Sequence, residues 1–345
     1  MSLPYRLVVA WLRLSRRRTL FASEAAVRAG VAAARRQGPP LPGWWLRRTL
    51  HVEESAFEGH RVLRLRPRRA SRANGGALLL YLHGGGYVYP ITSHHWRLVA
   101  ELVTRTGCEA VVPLYPLAPE HACEYTLPWA QRLYAALARE GRPVVLGGDS
   151  AGSGLALALA QSLRGGEVAA PTRLLLITPA VDWTLAVPEV AAIAPHDPLL
   201  MPAGVEAAAR MYAGAAPLSD PRVSPLRGPL AGLPPTFVLT AGRDILAPGG
   251  QALAARLRAA GTPVQAWHAP QMVHDWPLLP VPEGRGAGGL AARRGGAGSA
   301  GGSQRAGRVP AREGLLEHRV ARPVRVREQQ ARGARRGWHG NTLPI

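Results

Sequence analysis

Three residue types at ordered positions could do nucleophilic chemistry in this chain. A serine, Ser150, lies in Gly148-Asp-Ser-Ala-Gly152, which has the G-x-S-x-G form of a nucleophile elbow. About 65 residues earlier stands His83-Gly-Gly-Gly86, a loop type that supplies backbone amides to a developing oxyanion. A serine hydroxyl attacks a carbonyl only when a base takes its proton and a third group orients that base. The order expected on a strand-turn-helix elbow is Ser, acid, His. Asp244, in Ala241-Gly-Arg-Asp-Ile-Leu246, fits the acid, and His274, in Met272-Val-His-Asp-Trp276, fits the base. These residues point to ester hydrolysis by an activated serine.

The eleven histidines include competitors. His83 belongs to the glycine loop, and His94, His95 and His121 precede the serine. His196 precedes Asp244, His268 falls within an apolar run, and His318 and His339 lie near the C-terminus. Asp182 and Asp275 are the rival acids; Asp275 adjoins the base and is expected to point away from it. Gly84, Gly85 and Gly86 would let amides approach a carbonyl oxygen, with Ala151 at the start of the next helix as partner donor. The glycine loop lacks the Lys and the spacing of a phosphate-binding loop.

The surrounding pattern says what must hold these residues. Ala77–His83, Glu109–Tyr115, Pro143–Asp149, Arg173–Pro179, Thr236–Ala241 and Pro263–His268 are apolar runs, as strands buried on both faces should be. Arg61–Arg66 alternates and reads as an edge strand. Helical patterns at His94–Thr106, Leu127–Arg139, Ala151–Leu163 and Gly249–Ala260 separate the runs. Strands alternating with helices predict an α/β fold, a mostly parallel central sheet with helices on both faces. The sequence at 182–233 interrupts the alternation and is expected to cross the carboxyl edge of the sheet, where substrates of such folds bind.

Residues 1–45 read as an N-terminal helical cap, 46–283 as the catalytic domain, and 284–345 as a tail rich in Arg, Gly and Ala. The N-terminal segment is a basic amphipathic stretch that either covers the active site or touches a membrane surface. It lacks the order of charge, apolar core and small residues that marks a secretory signal, and no span approaches the length of a transmembrane helix. The formal charge is +20, and every basic residue is Arg. The tail holds 13 Arg against Glu313, Glu317 and Glu328, so it supplies half of that charge. The catalytic domain is therefore not expected to bind nucleic acid, and a small-molecule ester is the expected partner. The tail has no periodic apolar face, reads as disordered, and breaks abruptly enough to suggest a frameshifted C-terminus. Cys108 and Cys123 suggest neither a metal site nor a disulfide framework. Two free thiols fit a reducing, cytoplasmic setting. The chain is compatible with a homodimer, and the chemistry needs no cofactor.

Five segments together carry a family resemblance: His83-Gly-Gly-Gly-Tyr87, Tyr115-Pro-Leu-Ala-Pro-Glu120, Gly148-Asp-Ser-Ala-Gly152, Ser224-Pro-Leu226 and Asp244-Ile-Leu246. Over roughly residues 40–280 the chain resembles the hormone-sensitive-lipase-like esterases of the α/β-hydrolase fold. The resemblance implies a cofactor-free serine carboxylesterase for short- to medium-chain acyl esters. It implies Ser150, Asp244 and His274 as the triad and Gly85, Gly86 and Ala151 as the oxyanion hole. Glu120 matches the family's structural acid. Pro116 stands where the family has Arg, Ser153-Gly154 where it has Gly-Asn, and Ala247-Pro248 where it often has a second acid. The family's closing helix is expected to be missing after Gly284. A lactonase, an amidase, a small-molecule deacetylase with the same triad, or a non-catalytic binding protein are the alternatives.

Overall fold

The computed structural model describes residues 1–14, 20–68 and 76–295. Its centre is an eight-stranded sheet in the order β1-β2-β4-β3-β5-β6-β7-β8. The strands are β1 (Leu50–Phe57), β2 (His60–Pro67), β3 (Leu78–Leu82), β4 (Glu109–Pro113), β5 (Val144–Asp149), β6 (Arg173–Ile177), β7 (Thr236–Arg243) and β8 (Val264–Val273). Only the β1–β2 and β2–β4 pairs are antiparallel; β4 through β8 run parallel. This is the α/β-hydrolase architecture, with helices on both faces and an N-terminal helical segment.

The central apolar runs face two cores at once. Leu78, Leu80 and Leu82 of β3 enter one buried cluster while Leu79 and Tyr81 enter the other. Leu174 and Leu176 of β6 divide from Leu175 and Ile177 in the same way. Side chains alternate across a strand, so a run with no polar position is buried on both sides. One core contains α2 (Glu24–Gln37), α5 (Cys123–Ala138), α6 (Ser150–Ser162), α8 (Pro202–Ala213) and α9 (Ala247–Ala259). The other contains α1 (Leu3–Leu14), α3 (Trp44–Thr49), α4 (Ser93–Thr106) and α10 (Pro282–Gly295). The segment at 182–233 adds α7 (Pro188–Ile193) and α8, and α8 packs on α2.

Three expectations are corrected at the margins. Arg61–Arg66 lies in β2, which pairs on both sides; the edge strand is β1. Its sequence hides it, because Glu53, Glu54 and Ser55 are exposed and give no apolar alternation. The backbone ladder joins it to β2 along all eight residues, with the cross-strand ion pairs Arg61–Glu54 at 2.5 Å and Arg66–Glu53 at 2.9 Å beside it. At the opposite edge, β8 is not buried on both faces: Gln265, Ala266, Trp267 and His268 are exposed.

The third correction concerns the boundary at 284. The chain continues there as α10, which packs on α4 and on the Trp276–Leu278 turn, so the closing helix is present. Intrinsic propensity disfavours it, since each Gly costs about 1 kcal/mol relative to Ala. Packing overrides propensity: Ala287, Ala291 and Ala292 are buried. A Cβ on Gly284 would lie 2.2 Å from the Leu279 carbonyl oxygen, and one on Gly288 would lie 2.8 Å from Glu101. Small residues here permit a close approach. Residues 296–345, with the disordered and frameshifted readings placed on them, lie outside the described residues.

Candidate active site

Ser150 sits at the junction of β5 and α6 with φ 49°, a left-handed value that strains a residue with a Cβ. The flanking glycines explain how the turn closes. A Cβ on Gly148 would meet the Leu82 carbonyl oxygen at 2.3 Å, and one on Gly152 would meet it at 2.0 Å. The backbone end of β3 passes directly under the elbow, so both positions exclude side chains. The departure at Ser153-Gly154 has a local reason too. The Ser153 hydroxyl donates to the Gly148 carbonyl at 2.6 Å and accepts from the Ile177 amide at 2.9 Å, tying β5 to β6 under the turn. Gly154 is required because a Cβ there would lie 2.3 Å from the Ala180 carbonyl oxygen.

The two partners expected from sequence meet this serine. His274 Nε2 lies 2.9 Å from Ser150 Oγ, and His274 Nδ1 lies 2.9 Å from Asp244 Oδ2. Asp244 follows β7, His274 follows β8, and all three side chains are buried. The remaining Asp244 oxygen accepts from the Leu246 amide at 2.9 Å, which fixes the carboxylate plane. Of the competing histidines, His95 donates to Asp149, His83 turns to the Gly84 carbonyl, and His268 of β8 meets Thr240 of β7.

Asp275 does not point away from the base. Its Oδ2 lies 3.2 Å from His274 Nε2, on the side that faces the serine. The backbone there is left-handed, φ 51°, and the second carboxylate oxygen is held by the Thr178 hydroxyl at the end of β6. Adjacent residues usually diverge; this turn folds the carboxylate back over its neighbour. The electrostatics follow. Burial alone would lower the pKa of His274, but Asp244 and Asp275 outweigh it and raise it well above the ordinary imidazole value. Burial raises the pKa of Asp275, opposed by His274 and assisted by Asp149.

Gly84 is also corrected. Its amide donates to Asp149 Oδ2 at 3.0 Å, so that N–H is not available to a substrate. Gly85 and Gly86, with φ of 117° and 65°, line the cavity beside Ser150. Asp149, the residue before the serine in the elbow, is a hub. It also accepts from Tyr81 Oη at 2.5 Å and from His95 Nε2 at 3.1 Å. Burial would raise its pKa, yet His95 and Tyr81 outweigh that and hold it below the ordinary carboxylate value. The elbow and the glycine loop are thereby locked together through one side chain.

Two further acids were missed or half-read. Asp197 accepts the amides of Leu199, Leu200 and Ile245 beside Asp244, and burial together with the Asp244 charge pushes its pKa up to about 6. Its only sequence signal is an acid among apolar residues in Asp197-Pro-Leu-Leu200. Glu120 pairs with Arg35 of α2, the Nε and an Nη each at 2.9 Å, while the same guanidinium donates to the Val88 and Ala118 carbonyls. Arg35 thus ties the N-terminal helices to the stretch carrying Pro116.

A cavity of about 370 Å³ opens over Ser150 and His274. Its walls are mostly apolar: Val8, Trp11 and Leu12 from α1, Leu20 and Phe21 before α2, Leu199 and Leu200, and Leu278 and Leu279. A second cavity, about 340 Å³, lies around Arg35, His60, Glu120 and His121 and touches none of the three residues above. Among the described residues, no helix is long and apolar enough to cross a membrane.

Known proteins are similar to this chain in sequence and in fold. A family model described as the alpha/beta hydrolase fold matches residues 79–278. The chain is 35% identical over 231 residues to ethyl acetate hydrolase of Pseudomonas putida, covering 64% of this chain and 72% of that one. It is 30% identical over 244 residues to triacylglycerol lipase of Mycobacterium tuberculosis, covering 70% of this chain but only 50% of that protein. A crystal structure of an esterase from the bacterial hormone-sensitive lipase family superposes with a TM-score of 0.71 at 26% identity, covering 85% of this chain and 97% of that one. The chain belongs to the hormone-sensitive-lipase-like esterase family of the α/β-hydrolase fold. It is a hydrolase of the esterase and lipase type.

Proposed function

We propose that the chain is a serine carboxylesterase acting on short- to medium-chain acyl esters through an acyl-enzyme, with Ser150, His274 and Asp244 as its triad. The observation that carries this is the unbroken hydrogen-bonded line Ser150–His274–Asp244 at the floor of an apolar cavity. Asp244 on Nδ1 selects the tautomer whose Nε2 accepts the Ser150 proton. Ser150 Oγ attacks the ester carbonyl, and the oxyanion rests on the amides of Gly85, Gly86 and Ala151. Ala151 adds the N-terminal dipole of α6 at the same place. His274 then gives its proton to the leaving alcohol, and water repeats the cycle on the acyl-enzyme. A cavity near 370 Å³ suits a small alcohol or a short acyl chain better than a long one.

The test is hydrolysis of p-nitrophenyl esters from C2 to C12. The proposal predicts a maximum among the shorter chains and a loss on the order of 10⁶-fold in kcat for Ser150→Ala. Retained turnover in that variant, or a preference for C12, would contradict the reading.

A further inference from the structure

Helix α1 presents three faces. Tyr5, Val9 and Leu12 are buried, and the helix is anchored by Tyr5 Oη donating to the Gln271 carbonyl at 3.0 Å and Ser2 Oγ donating to Glu283 at 2.8 Å. Its outward orientation is therefore fixed. Leu3, Leu7, Trp11 and Leu14 face solvent, at 67%, 61%, 54% and 88% exposed. At about 100° per residue these four fall within an arc of about 80°. Arg6 and Arg13, both exposed, flank that stripe on one side. On the other side Val8 and Trp11 line the cavity over Ser150. The apolar stripe thus runs without interruption into the mouth of the site.

Isolated exposed apolar residues are ordinary, but a contiguous stripe on an anchored helix marks an interaction surface. The charge pattern chooses the occupant. A second copy would bring Arg6 and Arg13 against a like pair, and the tail from 296 onward is itself rich in Arg. An apolar stripe edged with Arg is instead the pattern of a helix that lies in the headgroup boundary of an anionic bilayer. We propose that the outward face of α1 docks the protein on an anionic lipid surface, with the mouth of the Ser150 cavity against that surface. The consequence for catalysis, that esters held in the lipid phase reach Ser150 without crossing bulk water, rests on the esterase reading. The docking itself does not.

The experiment is co-sedimentation of the full chain with vesicles of POPC alone and of POPC with 30% POPG, comparing the unaltered protein with Leu7→Glu/Leu14→Glu. Neither leucine lines the cavity, so p-nitrophenyl butyrate turnover and circular dichroism should match in the two proteins. The expected result is binding to the POPG vesicles that falls at least about ten-fold in the double variant. Arg6→Gln/Arg13→Gln should weaken POPG binding by about five-fold per charge. Equal POPG binding by the unaltered chain and the leucine variant would overturn the proposal, because the basic tail or another face would then carry it. So would a chain that binds neither vesicle but is dimeric by light scattering and becomes monomeric in the leucine variant. Because binding requires no turnover, the same measurement on Ser150→Ala separates failure of the docking from failure of the chemistry.

Discussion

The nucleophile elbow and the histidine turn each carry a left-handed non-glycine residue, but they are held in different ways. At the elbow, β5 to α6, the constraints are backbone constraints: two glycines with a carbonyl within 2.3 Å of where a Cβ would be, and a strained φ at Ser150. At the turn after β8, Asp275 is left-handed as well, but side chains of distant elements hold it there. Asp275 is folded back onto His274 by Thr178 of the β6 edge, and the following helix is held by α4. A region fixed by backbone sterics tolerates almost no substitution. A region fixed by side-chain contacts can be tuned.

That difference orders the predictions. Gly152→Ala should be the most damaging at the elbow, since a Cβ 2.0 Å from the Leu82 carbonyl cannot be relieved by a rotamer change. A loss of about 3 kcal/mol is expected in urea denaturation, together with loss of esterase activity. Asp149→Asn should keep the fold but loosen the glycine loop, because the amide side chain cannot accept from Gly84, Tyr81 and His95 as the carboxylate does. A fall in kcat of about 10²-fold is expected, with KM changed little, since in the proposed mechanism the loop acts on the oxyanion and not on ground-state binding.

At the histidine turn the effects are smaller and concern pH. A raised His274 pKa means the free base is available only above that pKa, so kcat/KM should climb toward alkaline pH. Asp275 favours the imidazolium, as Asp244 does. Asp275→Asn removes one of those negative charges, lowers the pKa of the base, and should move the acid limb of the kcat/KM profile to lower pH. An unmoved limb would show that Asp275 does not act on His274 Nε2. The smallest effect is expected in α10. A Cβ on Gly286 meets nothing within 4 Å, so Gly286→Ala should stabilise by about 0.5–1 kcal/mol and raise Tm by about 2 °C. Gly284→Ala should do the opposite, since its Cβ would lie 2.2 Å from a carbonyl oxygen.

What could be read in the chain follows the same divide. The order Ser150, Asp244, His274 and the central strands were legible, because a motif set by backbone closure leaves glycines in fixed places and a doubly buried strand leaves no polar gap. Nothing in the sequence says that Asp149 reaches back 65 residues to the Gly84 amide, so Gly84 reads there as an oxyanion donor. Asp275 was expected to diverge from His274 because the left-handed turn that brings them together shows only in three dimensions. Strand β1 is hidden because a backbone ladder to β2 holds it while its exposed Glu53, Glu54 and Ser55 leave no apolar alternation. Helix α10 was lost because its glycines read as breakers, while their value lies in the close approach of Glu101 and the Leu279 carbonyl.

The central claim is that Ser150 is the nucleophile activated by His274, and covalent labelling addresses it most directly. The full chain would be treated with an alkyl p-nitrophenyl phosphonate, its intact mass followed over time, and the adduct located by peptide mapping. The account predicts one adduct per chain, on Ser150, absent in Ser150→Ala and formed far more slowly in His274→Ala. Labelling of Ser150→Ala at the unaltered rate, or an adduct on a different serine, would contradict it.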